Sequence, residues 1–593
     1  MHRPEPTPPF SNTTTSTTLR PLPNSSSLTH NNSPTMPFSP SSTLIQPSHP
    51  ALQTLSPSDR HLFCKYASGP QQSPAFPTVL AAFEQMATTH PHALAATEVL
   101  EDGQLSDDAN ITYAQLNAQA NKLAFLMQER GVSNGDAVCL FLKRSVQMIV
   151  GIIASLKVGA CYVPQHVGLA PDTQLLNVAD ATSAKVVLTM DELQEKLPEF
   201  PPHVSVIPIG SVMRDAKLPT AEPSLSRAVR PSDRCYIIFT SGTTGAPKGV
   251  QVTHANVANV LLTSPMDLGM APGVRVGQIL SIAFDMGAWE ILGCLSHGAT
   301  LVIRHRSIAN AVKLVDVVIS TPTVLGTLDA AEMTHVKTVA VAGEPCPRGL
   351  AATWGKFATF YNSCGPTETT IVNTAKRFDP ESTVLTIGKP TPNNTVYVLD
   401  PETLEPCKIG EVGEMWAGGE CVSAGYLNKP GLTAERYLVD PFINGVNSFM
   451  YKTGDLGRWD ANGELEHYGR VDDQVKVKGF RVELDGVSAM AETAHGVEKA
   501  VVLKIGTELV AFVTPEYAKT EAVKEAVGIK LPYYCVPSRV VGMGALPKTG
   551  NGKVDKRTLK EMDARKVLQP MLTRRSSSRV SHVRSTLRTL RVL

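Results

Sequence analysis

Residues 235–250, CYIIFTSGTTGAPKGV, constrain the chain more than any other stretch. A run of large apolar residues, Tyr236 to Phe239, reads as a buried strand, and it feeds directly into a loop of hydroxyls, glycines and one lysine. Such a strand-then-loop unit can wrap a polyphosphate. The glycines Gly242 and Gly245 let the backbone approach and its N–H groups converge on an anion. Thr240, Ser241, Thr243 and Thr244 add O–H donors, and Lys248 brings a mobile positive charge. The spacing differs from the GxxxxGK[ST] of a P-loop, so the usual P-loop enzymes are not implied.

The rest of the chain sets bounds. Its 593 residues can bury a large core, and length alone suggests several domains. A net charge of +1 argues against a nucleic-acid partner. The ten cysteines form no CxxC pair, which gives neither a zinc site nor a disulfide framework and suits a reducing, cytoplasmic setting. The most apolar stretch, Met148 to Val163, is interrupted by Lys157 and two glycines, so no membrane span is expected.

Residues 1–55 are rich in Ser, Thr and Pro and cannot offset their chain entropy by burial, so they read as a disordered tail. From residue 56 onward, the helical spacing of Asn110–Glu129 alternates with strand-like runs at 137–142, 185–190 and 203–209, the mark of layered α/β architecture. A polar stretch at 471–473 reads as a hinge. Residues 474–563 then have the size of a small α+β lid. The segment 564–593 carries eight Lys or Arg and no acidic residue from Arg565 on, and reads as a disordered basic tail.

Further motifs follow in order. ITYAQL occupies 111–116, LKVGACYVP 156–164, FDMGAWE 284–290, NSCGPTE 362–368, GEMWAGGECVSAGYL 413–427 and YKTGDL 451–456. GRVDDQVKVKGFRVEL, LPYYCVP and NGKVDK close the series. Singly, each is a turn-rich loop. Together, over about residues 60–563, they resemble the motif series of the adenylate-forming superfamily, and most closely the adenylation domains of fungal nonribosomal peptide synthetase-like proteins. The resemblance implies an α/β fold. Its large multi-subdomain N-terminal domain (residues 56–470) would be layered α/β with a β-barrel-like part, and a small mobile α+β C-terminal lid would follow.

The resemblance also implies roles. Lys553 would bridge the substrate carboxylate and the α-phosphate of ATP, easing the approach of two anions. Thr367 and Glu368 would work at the phosphates, with Glu368 holding Mg²⁺. Asn362, Asp455 and Arg470 would join the phosphate loop in binding ATP, the last two at the ribose. Asp472 would be the hinge about which the lid turns, withdrawing Lys553 and bringing Lys478–Gly479–Phe480 inward for thioester formation with a phosphopantetheine thiol.

In amino-acid-activating members the aspartate of FDMGAWE pairs with the substrate ammonium; here it is Asp285. A carboxylate in an apolar pocket is costly unless a cation meets it, which points to an α-amino acid. The remaining pocket positions by resemblance are Met286, Trp289, Ser320, Ala340, Ala342, Ser363, Ile371 and Val372. None is ionisable, so a large apolar or aromatic side chain is expected. Two departures stand out: Cys364 replaces a common adenine-stacking tyrosine, and Gln165–His166 stands where an acidic residue is frequent. No carrier-like segment follows Arg565, so the carrier partner would act in trans or be lost by truncation. The competing expectations are an acyl- or aryl-CoA ligase for an acid without an amino group, and a non-catalytic or truncated piece of a multidomain synthetase.

Overall fold

The computed structural model describes residues 45–242, 247–443, 448–471, 474–477, 480–548 and 554–563. Two parallel-type sheets form the body. One has six strands in the order Ser205–Pro208, Val186–Thr189, Ala137–Leu142, Cys161–His166, Arg234–Thr240 and Lys248–Thr253, parallel throughout except for the last, which runs antiparallel. The other has nine strands. Its interior, from Thr359–Cys364 through Thr338–Val341, Val317–Ser320, Arg275–Gln278 and Thr300–Ile303 to Leu94–Glu98, is parallel and its edges are antiparallel. The parallel strands are apolar on both faces, as strands covered by helices on each side must be.

Local signals explain the helices between them. Thr112 accepts from the Gln115 amide while the Gln115 side chain accepts from the Thr112 amide, a reciprocal cap that starts Tyr113–Glu129. Ser145 caps Val146–Lys157, which is buried over nearly its whole length. That helix, with strand Cys161–His166, accounts for the apolar stretch 148–163. No helix among the described residues is long and apolar enough to cross a membrane.

An antiparallel five-stranded sheet built on Asn394–Leu399, Gly413–Gly419 and Phe449–Trp459 supplies the part expected to be barrel-like. Ile45, Leu52 and Leu55 are buried against its Tyr397 and Trp416, together with Phe63 and Phe442. Ordered packing therefore starts ahead of residue 56. Three apolar side chains spaced along a Pro- and Ser-rich segment suffice to anchor it.

The smaller C-terminal part has its own core around Val487, Val502, Ala511, Val523 and Val527. It joins a hairpin, Gln474–Val477 with Phe480–Glu483, to a three-stranded sheet and the helices Leu484–Ala491 and Thr520–Lys530. The large-plus-small α/β architecture matches the sequence expectation. Asp472, placed at the hinge, lies outside the described residues, as do residues 1–44 and 564–593.

Candidate active site

The six-stranded sheet delivers the glycine-rich loop. Strand Arg234–Thr240 ends at Thr240, and the antiparallel register sets Lys248 directly across from it. Ser241 and Gly242 begin the loop between them; Thr243, Thr244 and Gly245 lie outside the described residues. Among the described residues the buried Thr240 hydroxyl has no hydrogen-bond partner. An unpartnered donor at the mouth of a glycine-rich loop is what an anion site requires.

The nine-stranded sheet delivers the other side. Strand Thr359–Cys364 runs into Gly365 and the turn Thr367–Thr369. A Cβ on Gly365 would sit 2.6 Å from Val372 Cα, so the close chain approach requires glycine there. Thr370 and Ile371 follow with φ of 52° and 70°. Left-handed backbone at a β-branched residue is costly, and here it turns Ile371 toward the cavity.

Glu368 is fully buried and all of its carboxylate is engaged. Oε1 accepts from the Tyr426 hydroxyl at 2.7 Å and lies 3.6 Å from Lys248 Nζ. Oε2 meets Arg481 Nη1 at 2.5 Å. Burial pushes this carboxyl up, but Arg481 and Lys248 outweigh it and hold it well below the usual range. Arg481 belongs to the hairpin of the small part. From the same hairpin, Glu483 Oε1 lies 3.8 Å from Lys248, the Glu483 amide donates to Ser241 Oγ at 3.2 Å, and Ser241 Oγ donates to the Arg481 carbonyl at 2.9 Å. Burial, then the Arg481 charge, lowers the Lys248 pKa despite the two glutamates.

In this arrangement Tyr426 and Arg481 each occupy one oxygen of Glu368, and among the described residues no group of three or more His, Cys, Asp or Glu could hold a metal.

A second cluster sits at Asp455. Its Oδ1 accepts from Arg470 Nη1 at 2.7 Å and lies 3.5 Å from His467 Nε2. Burial raises this carboxyl, but the His467 hydrogen bond and Arg470 prevail and keep it low. Cys364 is nearby; burial pushes its thiol up to about 12, so it is an inert neutral group. Asn362 is buried and donates to the Thr386 carbonyl at 2.8 Å, which ties down the strand rather than leaving the amide free.

Beside Ser241 and Arg481 of the first cluster lies a cavity of about 340 Å³. Asp285 opens a short helix inside it, accepting from the Met286 amide at 2.9 Å and from the Thr367 hydroxyl. Burial raises its pKa; the Thr367 hydrogen bond and the Lys476 charge only partly offset this. Met286, Ala342 and Ile371 line the cavity with Asp285, Thr240, Ser241 and Thr367. Trp289, Ser320, Ala340, Ser363 and Val372 do not line it. They are buried behind it, with Trp289 Nε1 donating to the Met266 carbonyl at 2.8 Å and Ser320 Oγ to the Thr321 carbonyl at 3.1 Å.

None of the mapped positions is ionisable, but charged side chains from elsewhere in the chain also line the cavity. Lys476, Arg481, Arg144 and Arg304 all reach this cavity. Lys476 and Arg481 stand in motifs that the sequence displays but does not orient. Phe480 does approach, edge-on to Phe284 at 4.9 Å between centroids and stacked on Tyr534 at 3.9 Å. Lys478, Gly479 and Lys553 lie outside the described residues.

A glycine-rich loop thus faces a Thr–Glu turn, and a hairpin of the small part docks on both. The sequence matches the family of AMP-binding enzymes over residues 83–427, and the chain belongs to that family. It is 44% identical over 520 residues to adenylate-forming reductase 03009 of Coprinopsis cinerea, covering 86% of this chain and 49% of the relative. It is 32% identical over 506 residues to gramicidin S synthase 1 of Brevibacillus brevis, covering 82% and 44%. The chain thus spans about half the length, or less, of these relatives. In fold it resembles NpsA-ThdA, an artificially fused adenylation–PCP di-domain from Klebsiella oxytoca, with a TM-score of 0.69 at 24% identity over 78% of this chain and 93% of the other.

Proposed function

We propose that the chain joins an α-amino acid to ATP, giving aminoacyl-AMP and pyrophosphate, and then passes the acyl group to the phosphopantetheine thiol of a carrier protein. In the second step the thiol sulfur attacks the acyl carbon, the acyl–phosphate bond breaks and AMP leaves. The observation that carries the amino-acid reading is Asp285, a buried carboxylate aimed into the cavity and short of a full counter-charge. The substrate ammonium would complete it. The apolar lining at Met286, Val324, Ala342 and Ile371 supports a large apolar or aromatic side chain.

Lys553 would serve the first step and withdraw as the hairpin docks, about the Asp472 hinge between residues 56–470 and 474–563. Magnesium would neutralise pyrophosphate charge beside Glu368 and Thr367 in the arrangement with Arg481 withdrawn. The names of the Coprinopsis relatives support a reductive fate for the thioester within a longer protein. A cytoplasmic setting suits ten free thiols.

One observation favours a second reading. Lys476 lines the same cavity and its charge acts on Asp285, so an acid without an amino group could be accepted with the protein's own ammonium as partner. Amino-acid-dependent ATP–pyrophosphate exchange, run over proteinogenic amino acids and a set of aryl and fatty acids with Lys553→Ala as control, separates the two. Exchange driven by a few large apolar amino acids and lost in the variant supports the first reading. Exchange only with acids lacking an amino group overturns it.

A further inference from the structure

The cavity has a second end that the adenylation chemistry does not use. Besides Asp285 it is lined by the aromatic rings of Phe284, Phe480, Tyr533 and Tyr534 and by Arg144, Arg304 and His166. Neither arginine forms a salt bridge among the described residues. Arg144 donates through Nε to the Leu280 carbonyl at 3.1 Å and through Nη2 to the Ile279 carbonyl at 3.4 Å. Arg304 donates through Nε to the same Ile279 carbonyl at 2.8 Å and through Nη1 to the carbonyls of His305 and Arg306. Two guanidinium groups are thus drawn together by one carbonyl and held by backbone acceptors alone.

The carboxylate whose charge reaches both arginines is Glu290. It is fully buried and spends its oxygens on the Ile279 and Leu280 amides at 2.9 and 3.1 Å and on Gln278 Nε2 at 3.1 Å. Even if Glu290 is fully ionised, two cations face one anion. At least one positive charge is left over at a half-buried cavity end. His166 reports the same excess: burial, then the Arg144 charge, pushes its pKa down to about 4, so its ring stays neutral. A surplus cation away from bulk water is costly unless an anion meets it, and paired guanidinium groups suit phosphate oxygens best.

We infer that Arg144 and Arg304 bind the phosphate of the incoming pantetheine thiol, holding its arm in the aromatic channel so that the sulfur reaches the acyl group beside Asp285. This rests on the thioester step proposed above and assigns residues to the acceptor rather than to the acid. A pantetheine arm suits the walls between, since it is a thin chain of amides and methylenes with its charge at one end. The chemistry recognised is a phosphorylated pantetheine, whether it comes on a carrier protein or as free coenzyme A.

The test is calorimetric binding of 4′-phosphopantetheine and of unphosphorylated pantetheine to the full chain, with Arg144→Gln, Arg304→Gln and Arg144→Lys. The wild-type protein should bind the phosphorylated arm about tenfold or more tightly than pantetheine, the size expected for a charge-assisted contact. Each glutamine variant should bring that ratio toward one, while Arg144→Lys keeps part of it. Because the ratio is internal to each variant, a general loss of folding does not imitate the result. Equal binding of the two thiols by wild type, or a ratio that survives both glutamine variants, overturns the assignment. Product assays with coenzyme A and with a phosphopantetheine-loaded carrier then show which source yields thioester. Pyrophosphate exchange is read separately, so phosphate-selective binding without exchange would sink the adenylation reading, and with it the thioester step, while leaving the phosphate-binding role of the two arginines standing.

Discussion

Replacing Arg481 by methionine should loosen the hairpin from the active site without unfolding either part. Arg481 Nη1 and Glu368 Oε2 are 2.5 Å apart, and Glu368 is fully buried. At an effective dielectric constant of about 20 the gross attraction at such a distance is about 7 kcal/mol. Desolvation offsets part of it, and removing one partner of a buried pair typically costs about 3–5 kcal/mol. Lys248 stays 3.6 Å from the other oxygen and keeps some compensation in place, which sets the loss near the lower end, about 3 kcal/mol. That corresponds to about a 150-fold shift toward the undocked hairpin. Hydrogen exchange of the segment 480–483 reads it directly, because the Glu483 amide is satisfied by Ser241 across the interface. Protection of these amides should fall about a hundredfold while that of strand Ala137–Leu142 is unchanged. If protection at 480–483 stays within threefold of wild type, the ion pair does not hold the hairpin down and the reasoning fails.

Other consequences are as direct. Asp285→Asn should abolish most amino-acid-dependent exchange yet raise the melting temperature of the ligand-free protein. The folded-state pKa of Asp285 is raised, so its carboxyl favours folding at low pH and that contribution is lost as pH rises from its unfolded value through the folded one; the variant should flatten this part of the melting-temperature profile. His254 is buried with its pKa lowered to about 4, so folding should weaken as pH falls from about 6.5 to about 4, and His254→Gln should reduce that loss in acid melts. Gly365→Ala forces a methyl against the Val372 backbone and should cost a few degrees of melting temperature together with most pyrophosphate exchange. Cys364→Tyr should lower the KM for ATP several-fold, since an aromatic ring can stack on adenine and a thiol cannot; an unchanged KM would place the base elsewhere.

The sequence disclosed most where chemistry and local order coincide. The run 137–142 is a strand over the same residues, and Thr112 with Gln115 starts the helix expected over 110–129. The run 203–209 is legible only in part: Ser205–Pro208 is a strand, but Ile209 opens a helix. Alternation cannot say where a buried chain changes from one to the other. The order from Ile45 to Leu55 escaped because its partners, Tyr397 and Trp416, lie hundreds of residues away. Distance in sequence hides the site for the same reason. Arg481 and Glu368 each stand in a recognisable motif, yet nothing local says that they meet. Nor could a motif tell that Trp289, Ser320 and Ala340 support the cavity from behind while Arg144 and Arg304 reach it.

The docked hairpin presents Arg481 to the carboxylate of Glu368 and Glu483 to the ammonium of Lys248. It thereby places a cation where a metal ion would be held and an anion where a phosphate would be held. If Glu368 holds the metal ion and Lys248 the phosphates, as proposed, pyrophosphate with its metal ion and the docked hairpin would compete for the same two side chains, and removing pyrophosphate from solution would favour the docked arrangement.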